Sequence, residues 1–108
     1  MTIDQKFIDQ FANVTSKAAV ASYSFVGKKD KIAADKAAVD SMRKELNKLD
    51  IKGQIVIGEG ELDEAPMLYI GEKVGTTNGP EIDIAVDPLE GTNFAANNLP
   101  GALSVIAI

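Results

Sequence analysis

The sequence contains no cysteine, no histidine and no tryptophan among its 108 residues. Without cysteine it has no disulfide, no thiolate metal site and no cysteine nucleophile, and a reducing cytoplasm is the simplest compartment. Any metal site must then use carboxylates, hydroxyls and backbone oxygens. Such donors favour hard cations such as Mg²⁺ or Mn²⁺ over zinc.

Long apolar runs are missing as well. No stretch approaches the ~20 apolar residues of a membrane span, and the start of the chain has Asp4 where a signal peptide would be apolar. We therefore expect no membrane partner. A hydrophobic content of 45% is still enough to build a packed core.

Basic residues are scarce in the second half of the chain. Residues 1–52 carry ten of the eleven basic residues and seven acids, a net charge of +3, whereas residues 53–108 carry nine acids and one lysine, a net charge of −8. This distribution argues against nucleic-acid binding there. It indicates either a solvated acidic surface or a cation site.

Apolar residues at helical spacing predict two helices near the start of the chain. The first runs from Phe7 to about Gly27, and the second covers residues 32–49. The predicted apolar stripe of the second helix comprises Val39, Met42, Leu46 and Leu49. Extending this stripe back by one turn reaches Asp35, and a carboxylate at such a core-facing position often marks a functional site.

Short apolar segments predict four strands after the helices, at residues 55–57, 67–70, 82–86 and 102–108. The third should end at Asp87 and Pro88, because proline cannot continue a central ladder. A turn or helix should begin near Gly91. Because a domain seldom finishes on a buried strand, we expect residue 108 to be a cut inside a larger α/β fold.

Four acids lie at the ends of predicted elements: Asp35 at the start of the second helix, Glu59 just after a strand, and Asp87 with Glu90 just after another. Open α/β sheets present ligand-binding side chains from such places. Gathering several carboxylates is unfavourable unless cations balance their charge. Two divalent ions would balance four carboxylates, bridge a phosphate group to them and activate a water molecule for phosphate transfer.

The turn after the third strand suits the same chemistry. Pro88 would stiffen it so that Asp87 and Glu90 face one metal cluster, and the Leu89 carbonyl is available as a further oxygen ligand. In the residues that follow, glycine allows a close backbone approach. A helix beginning near Thr92 would offer free N–H groups to a phosphate, and the threonine hydroxyl would orient the attacking water.

Each of these residues also has a plainer interpretation. Residues 87–92 fit a β-turn with an acidic exit, and Glu59 fits a solvated turn position. Asp63 and Asp35 suit helix caps. Lys31 suits a solvated helix face, although beside a metal cluster it would reach a phosphate oxygen as a point charge.

Four segments together resemble the class II fructose-1,6-bisphosphatase family of the GlpX type: residues 30–35, 58–61, 63–72 and 83–92. The broader lithium-sensitive, metal-dependent phosphatase superfamily shares the Asp-Pro-x-(Asp/Glu)-Gly-Thr turn. The resemblance implies a layered α/β sandwich. Residues 1–108 would be the amino-terminal part of its domain, with two helices followed by a mixed sheet, cut inside the fold.

The resemblance also implies an activity in gluconeogenesis: hydrolysis of the 1-phosphate of fructose 1,6-bisphosphate to fructose 6-phosphate, with two or more Mg²⁺ or Mn²⁺ ions. The metal ligands of the family fall on Asp35, Glu59, Asp87 and Glu90, with the Leu89 carbonyl beside them. Its further metal-binding glutamate and most of its sugar contacts lie later in the chain than residue 108.

The same resemblance implies roles for the neighbouring residues. Thr92 matches the residue that positions the water, and Asp63 and Lys31 match active-site positions near the metals and the substrate phosphate. Substrate binding falls on Glu90, Gly91 and Thr92. Lys29 replaces a glycine that is common in the loop before the second helix.

Other functions stay open at this point. A relative acting on sedoheptulose 1,7-bisphosphate or an inositol phosphate would use the same metal-binding carboxylates, because these act on the phosphate ester and do not distinguish one sugar from another. A non-catalytic cation-binding or assembly fragment is a different class of explanation, and an acidic α/β domain without a site is the plainest. We expect a small sugar bisphosphate as partner, no nucleic acid, a cytoplasmic location and a homo-oligomer for the full-length protein.

Overall fold

A computed structural model of the chain describes residues 4–60 and 67–108. The elements follow in the order α1 (Gln5–Tyr23), α2 (Lys31–Leu46), β1 (Lys52–Ile57), β2 (Lys73–Val74), β3 (Glu81–Glu90), α3 (Thr92–Ala96) and β4 (Leu103–Ala107). Within the two described ranges, no helix is both long enough and apolar enough to cross a membrane.

Helix α1 begins where its sequence provides a cap, since the Asp4 side chain accepts a hydrogen bond from the Lys6 N–H group. It ends at Tyr23 and not near Gly27, so the predicted boundary was four residues too late. The chain tightens there into turns in which the N–H groups of Phe25 and Val26 donate three residues back. Gly27 follows these turns with a left-handed φ of 75°.

Helix α2 carries the apolar stripe that the sequence predicts. Asp30 caps it by accepting a hydrogen bond from the Ala33 N–H group at 3.0 Å. All four predicted stripe residues are buried, but the helix ends at Leu46, and Leu49 lies in the turn beyond it. Helices α1 and α2 pack against each other, and both contact β3.

The strands form one four-stranded sheet in the order β2-β1-β3-β4. β1 and β3 are parallel, whereas β1–β2 and β3–β4 are antiparallel, so the sheet is mixed. The predicted α/β class, with two helices followed by a mixed sheet, is therefore confirmed. The core lies between the helices and one sheet face, where Ile55, Ile82, Ile84 and Val86 are buried.

Strand β3 continues through Glu90, although the sequence predicts its end at Asp87 and Pro88. Its pairing with β4 shifts register between Asp87 and Glu90. Pro88 lies in this irregular stretch and is fully buried. A proline is tolerated there because a bulged residue need not donate a hydrogen bond to the ladder.

Two other strand predictions were wrong in part. In the run of residues 55–57 only Ile55 is buried, since Val56 and Ile57 are 43% and 64% exposed. Residues 67–70 form a turn and not a strand, because Leu68 takes a left-handed φ of 55° that interrupts extended backbone. The short strand in this region is β2, a few residues later.

Strand β4 lies within the predicted range of residues 102–108 but is not buried. It is the last strand of the sheet order and so forms an edge. Leu103 and Val105 on this strand are 57% and 40% exposed. The apolar composition of the segment correctly indicated a strand but not its burial.

The loop between α1 and α2 is hydrogen-bonded to the end of α3. The N–H groups of Gly27 and Lys29 donate to the carbonyl oxygens of Ala95 and Ala96 at 2.9 and 2.7 Å. Lys29 has a φ of 58°, a left-handed conformation that favours glycine. The left-handed backbone at this position explains why the resemblance leads one to expect a glycine here.

Lys29→Gly should therefore stabilise the fold by up to about 1 kcal/mol, because relief of left-handed strain outweighs the added freedom of the unfolded chain. Urea unfolding measures the change. Lys28→Gly is the matched control, since Lys28 has no positive φ and should lose stability on the same substitution. A loss of stability in both variants would contradict the prediction.

Candidate functional site

The carboxyl ends of β1 and β3 lie at the same edge of the sheet because these strands are parallel. Their last registered pair joins Ile57 to Ala85. Glu59 and Asp87 each lie two residues beyond that pair. The pairing of the two strands therefore carries both carboxylates to one edge, although they are far apart in the sequence.

Asp35 reaches the same region from the helical layer. It is half-buried in α2, directly after the fully buried Ala34. Burial raises the pKa of the Asp35 carboxyl above its ordinary value of 3.8, and the negative charge of Asp87 raises it further. The core-facing position inferred from the helical stripe is thus close enough to Asp87 for the two charges to repel each other.

Glu59 is also half-buried, and its pKa is raised. Burial raises its pKa from 4.5 to about 7, with further contributions from the charges of Asp35 and then Asp87. Three acids from separate stretches of sequence therefore lie within electrostatic range of one another. Glu90 is exposed at the end of β3 and is not among the charges that shift either pKa.

Electrostatic range is longer than the reach of a metal bond. Over the described ranges, no group of three or more acidic side chains is arranged so that it could hold a metal ion. Charges interact over about 8–10 Å, whereas Mg²⁺ and Ca²⁺ bind oxygen at roughly 2.0–2.6 Å. Asp35, Glu59 and Asp87 therefore interact through their charges, but in the described ranges their side chains do not form a preassembled metal site.

The donors themselves suit a hard divalent cation. Asp35, Glu59 and Asp87 offer only carboxylate oxygens, the ligand type that Mg²⁺ and Mn²⁺ take. Their mutual repulsion is what a cation would relieve on binding.

The turn after Asp87 is well defined in the structure. Pro88 and Leu89 are buried and lie between the registered pairs of β3 with β4, so Leu89 has no registered partner on β4. Gly91 takes φ 79° and ψ 45°, and an added Cβ would lie 2.9 Å from Cδ2 of Phe94. Glycine is therefore required here by the backbone and by the neighbouring ring.

Helix α3 begins at Thr92, as the sequence suggests. The helix has no side-chain cap at its start, and the N–H groups of Phe94 and Ala95 both donate to the Gly91 carbonyl oxygen. Thr92 is half-buried at its first position. The helix is only five residues long, so its dipole contributes little beyond its first N–H groups.

The remaining sequence candidates differ in what the structure says of them. Lys31 is exposed at the first position of α2, four residues and about one helical turn before Asp35. Asp63 lies outside the described residues.

Two charged residues near Glu59 received no role from the sequence. Glu72 is buried and its Oε1 atom lies 3.3 Å from Nε of Arg43. Residues 71–80 read as a turn-rich segment, in which a glutamate is normally solvated. One sequence feature pointed to this ion pair: Arg43 directly follows Met42, which belongs to the apolar stripe of α2.

The raised pKa of Glu59 predicts a pH dependence of stability. The pKa is 4.5 before folding and about 7 in the folded chain, so the folded form binds more protons between these values. Stability should therefore fall as the pH rises from about 4.5 to 7, by about 1–2 kcal/mol after allowance for the half-exposed position. Asp35 contributes in the same direction.

Urea unfolding at pH 5 and pH 7.5 measures this difference. Glu59→Gln should abolish most of it, because the amide does not titrate. A wild-type chain that gains stability as the pH rises through this window would contradict the prediction.

Comparison with known proteins agrees with the family resemblance of the sequence motifs. Residues 5–108 match the family model described as bacterial fructose-1,6-bisphosphatase, glpX-encoded. The chain is 53% identical over 105 residues to the D-fructose 1,6-bisphosphatase class 2/sedoheptulose 1,7-bisphosphatase of Synechococcus sp. (strain CC9902), covering 97% of this chain and 31% of that protein. It is 58% identical over 99 residues to the fructose-1,6-bisphosphatase 1 class 2 of Escherichia coli (strain K12), covering 92% and 30%.

The relative from Prochlorococcus marinus (strain MIT 9515), which carries the same double name as the Synechococcus protein, is 53% identical over 105 residues, covering 97% of this chain and 32% of its own length. The chain thus spans about a third of the length of the curated relatives it matches. Since the family model matches nearly all of the described sequence, the chain belongs to the glpX-encoded bacterial fructose-1,6-bisphosphatase family.

Proposed function

We propose that this chain supplies the metal-binding carboxylates of a phosphatase that acts on a sugar bisphosphate. The observation that carries the proposal is the convergence of Asp35, Glu59 and Asp87 from a helix and two parallel strands. Three mutually repelling carboxylates do not stabilise the fold by themselves. Divalent cations bound between them would stabilise it by balancing their charge. The names of the relatives supply the substrate class.

In this proposal four carboxylates hold Mg²⁺ or Mn²⁺: Asp35, Glu59, Asp87 and Glu90. The Leu89 carbonyl oxygen is a fifth donor, since its residue has no registered partner on β4. The bound ions would neutralise the charge of the phosphate group and lower the pKa of a coordinated water. Mg²⁺ and Mn²⁺ both accept such an all-oxygen donor set.

Other residues of the chain would position the reacting groups. The Thr92 hydroxyl orients the water that attacks phosphorus, while Glu90, Gly91 and the first N–H groups of α3 bind the phosphate. Lys31 contributes a positive charge to a phosphate oxygen, and Asp63 accepts a proton or hydrogen bond near the water. The water oxygen would bond to phosphorus as the bond from phosphorus to the sugar oxygen breaks, and the sugar oxygen would take the proton that the water loses.

The substrate that we propose is fructose 1,6-bisphosphate, hydrolysed at its 1-phosphate to fructose 6-phosphate, a cytoplasmic step of gluconeogenesis. Sedoheptulose 1,7-bisphosphate is the second candidate, because two of the relatives above carry both activities in their names. Both substrates present a primary phosphate ester to the same carboxylates. An inositol phosphate has no such support among these names.

A substrate panel tests the proposal directly. The protein expressed from its full reading frame should release phosphate from fructose 1,6-bisphosphate only when Mg²⁺ or Mn²⁺ is added. Sedoheptulose 1,7-bisphosphate and an inositol monophosphate complete the panel and separate the substrates. Turnover that persists in excess EDTA would overturn the metal-dependent mechanism.

Calorimetry separates catalysis from simple cation binding. The chain of residues 1–108 titrated with Mn²⁺ should release heat with a stoichiometry of one or more. Mn²⁺ binding by the full-length protein without phosphate release from any of the three substrates would favour the non-catalytic fragment. No Mn²⁺ binding would leave an acidic α/β domain without a site.

A further inference from the structure

Glu72 is a buried carboxylate that the proposed mechanism does not use. It is 4% exposed, and its Oε1 atom accepts hydrogen bonds from Arg43 Nε and from the Leu68 N–H group, each at 3.3 Å. Its Oε2 atom has no hydrogen-bond partner among residues 4–60 and 67–108. A buried charge with one long ion pair contributes little to stability, so a role other than stability is the better explanation for Glu72.

The hydrogen bond to Leu68 holds an unfavourable backbone conformation. Leu68 is fully buried and has a φ of 55°, a left-handed value that steric contacts disfavour for a residue with a Cβ. Its N–H group reaches the carboxylate of Glu72 four residues later. The ion pair with Arg43 in turn ties that carboxylate to helix α2.

The backbone of Leu68 is in turn hydrogen-bonded to the backbone of Glu59. The Leu68 carbonyl oxygen accepts a hydrogen bond from the Glu59 N–H group at 2.9 Å. Gly58 permits this approach, because an added Cβ would stand only 2.2 Å from the same carbonyl oxygen. The backbone of Glu59 is therefore anchored to a turn that Glu72 maintains.

A second set of hydrogen bonds fixes Glu72 itself against β1. The Ile55 N–H group donates to the Glu72 carbonyl oxygen at 2.9 Å, and the Gly71 N–H group donates to the Ile55 carbonyl oxygen at 2.7 Å. The residue that holds Leu68 is thus attached to the strand that leads into Glu59. Both ends of the turn, at Leu68 and at Glu72, are therefore hydrogen-bonded to β1 or to the residues that directly follow it.

We propose that Arg43 and Glu72 are positioning residues for Glu59. Their ion pair, through the left-handed turn at Leu68, sets where the Glu59 carboxylate stands at the sheet edge. The inference rests on the proposed function in one respect, namely that Glu59 binds a divalent cation. Neither Arg43 nor Glu72 contacts the ion or the substrate in this scheme.

The decisive variant exchanges the ion pair for an apolar pair, Arg43→Met with Glu72→Leu. Such replacements usually preserve stability, but the Leu68 N–H group loses its acceptor, so the melting temperature should fall by no more than about 10 °C. Protection of the Glu59 amide against hydrogen exchange should fall by about tenfold, while protection of Ile84 and Val86 in β3 is kept. Mn²⁺ affinity, measured from the electron paramagnetic resonance of free Mn²⁺, should fall by about tenfold.

Two further variants complete the experiment. Glu72→Gln keeps an acceptor for the Leu68 N–H group and should give a smaller loss of protection and affinity. Asp40→Asn is the matched control, because it breaks the exposed ion pair of Lys36 with Asp40 on the same helix. Its exchange pattern and its Mn²⁺ affinity should equal those of the wild type.

The outcomes separate this inference from the proposed function. Unchanged protection at Glu59 in the double variant overturns the inference, as does an equal loss at Ile84 and Val86. A selective loss at Glu59 with unchanged Mn²⁺ affinity also overturns it. If the wild type binds no Mn²⁺ while the selective loss is observed, the positioning of Glu59 is supported and the proposed metal site fails.

Discussion

Asp87→Asn is expected to produce the largest functional loss of any single substitution in this chain. Asp87 is the acid whose charge affects both other members of the site, since it raises the pKa values of Asp35 and Glu59. Losing an outer partner of a metal site typically costs about 10- to 100-fold in affinity. Asp87 is a direct ligand in the site that we propose, so its loss should weaken Mn²⁺ binding by more than about 100-fold.

Phosphate release by the full-length protein should fall by about 10³-fold or more in the same variant, because the bound ions supply several kcal/mol of transition-state stabilisation. The metal-free chain should respond in the opposite direction. Removing one of three repelling charges brings the pKa of Glu59 back toward 4.5 and stabilises the fold at neutral pH. A variant that is more stable without metal yet binds metal poorly is the signature of a functional carboxylate.

Asp83→Asn is the matched control for this substitution. Asp83 is exposed on the same strand and on the same sheet face as Asp87, four residues earlier. It is not among the charges that shift the pKa of Asp35 or Glu59. Equal losses of Mn²⁺ affinity in both variants would show that general negative charge, and not a site at this edge, attracts the cation.

Met42→Ala is expected to produce the largest loss of stability. Met42 is fully buried on α2, within the core between the helices and the sheet. Truncation of such a side chain usually costs about 2–5 kcal/mol, because apolar burial is lost and a cavity is left. For a domain whose total stability is about 5–15 kcal/mol, that loss is large enough to leave a measurable unfolded population.

Urea denaturation followed by circular dichroism measures this loss. Ile32→Ala is the control on the same helix, because Ile32 is 76% exposed and alanine is the better helix former. It should change the stability by less than about 0.5 kcal/mol. Similar midpoints for the two variants would mean that α2 does not pack on the sheet through Met42.

The helices and the central strand could be predicted from residue spacing because their apolar periodicity is a local property. Val39, Met42 and Leu46 recur on one helix face, and Ile82, Ile84 and Val86 alternate along β3. Asp35 was identified as a conflict within such a pattern. A carboxylate at a core-facing position stands out whenever the period of the helix is known.

Other features escaped prediction because they depend on distant partners. Ile57 is exposed although Ile55 is buried, because the pairing of β1 with β3 shifts register between them, and the left-handed turn at Leu68 depends on the Glu72 carboxylate. The burial of Glu72 depends on Arg43, which lies on another element. No local spacing of residues encodes such pairings.

The proposed site shows the same division. Its donor chemistry is readable in the chain: carboxylates at the ends of elements, without histidine or cysteine in residues 1–108, favour a hard cation over zinc. Whether Asp35, Glu59 and Asp87 approach one another was settled by the parallel pairing of β1 with β3 and by the packing of α2 on that sheet. Residue types set the possible donors, whereas long-range pairing sets the distances, and like-charge repulsion depends on distance.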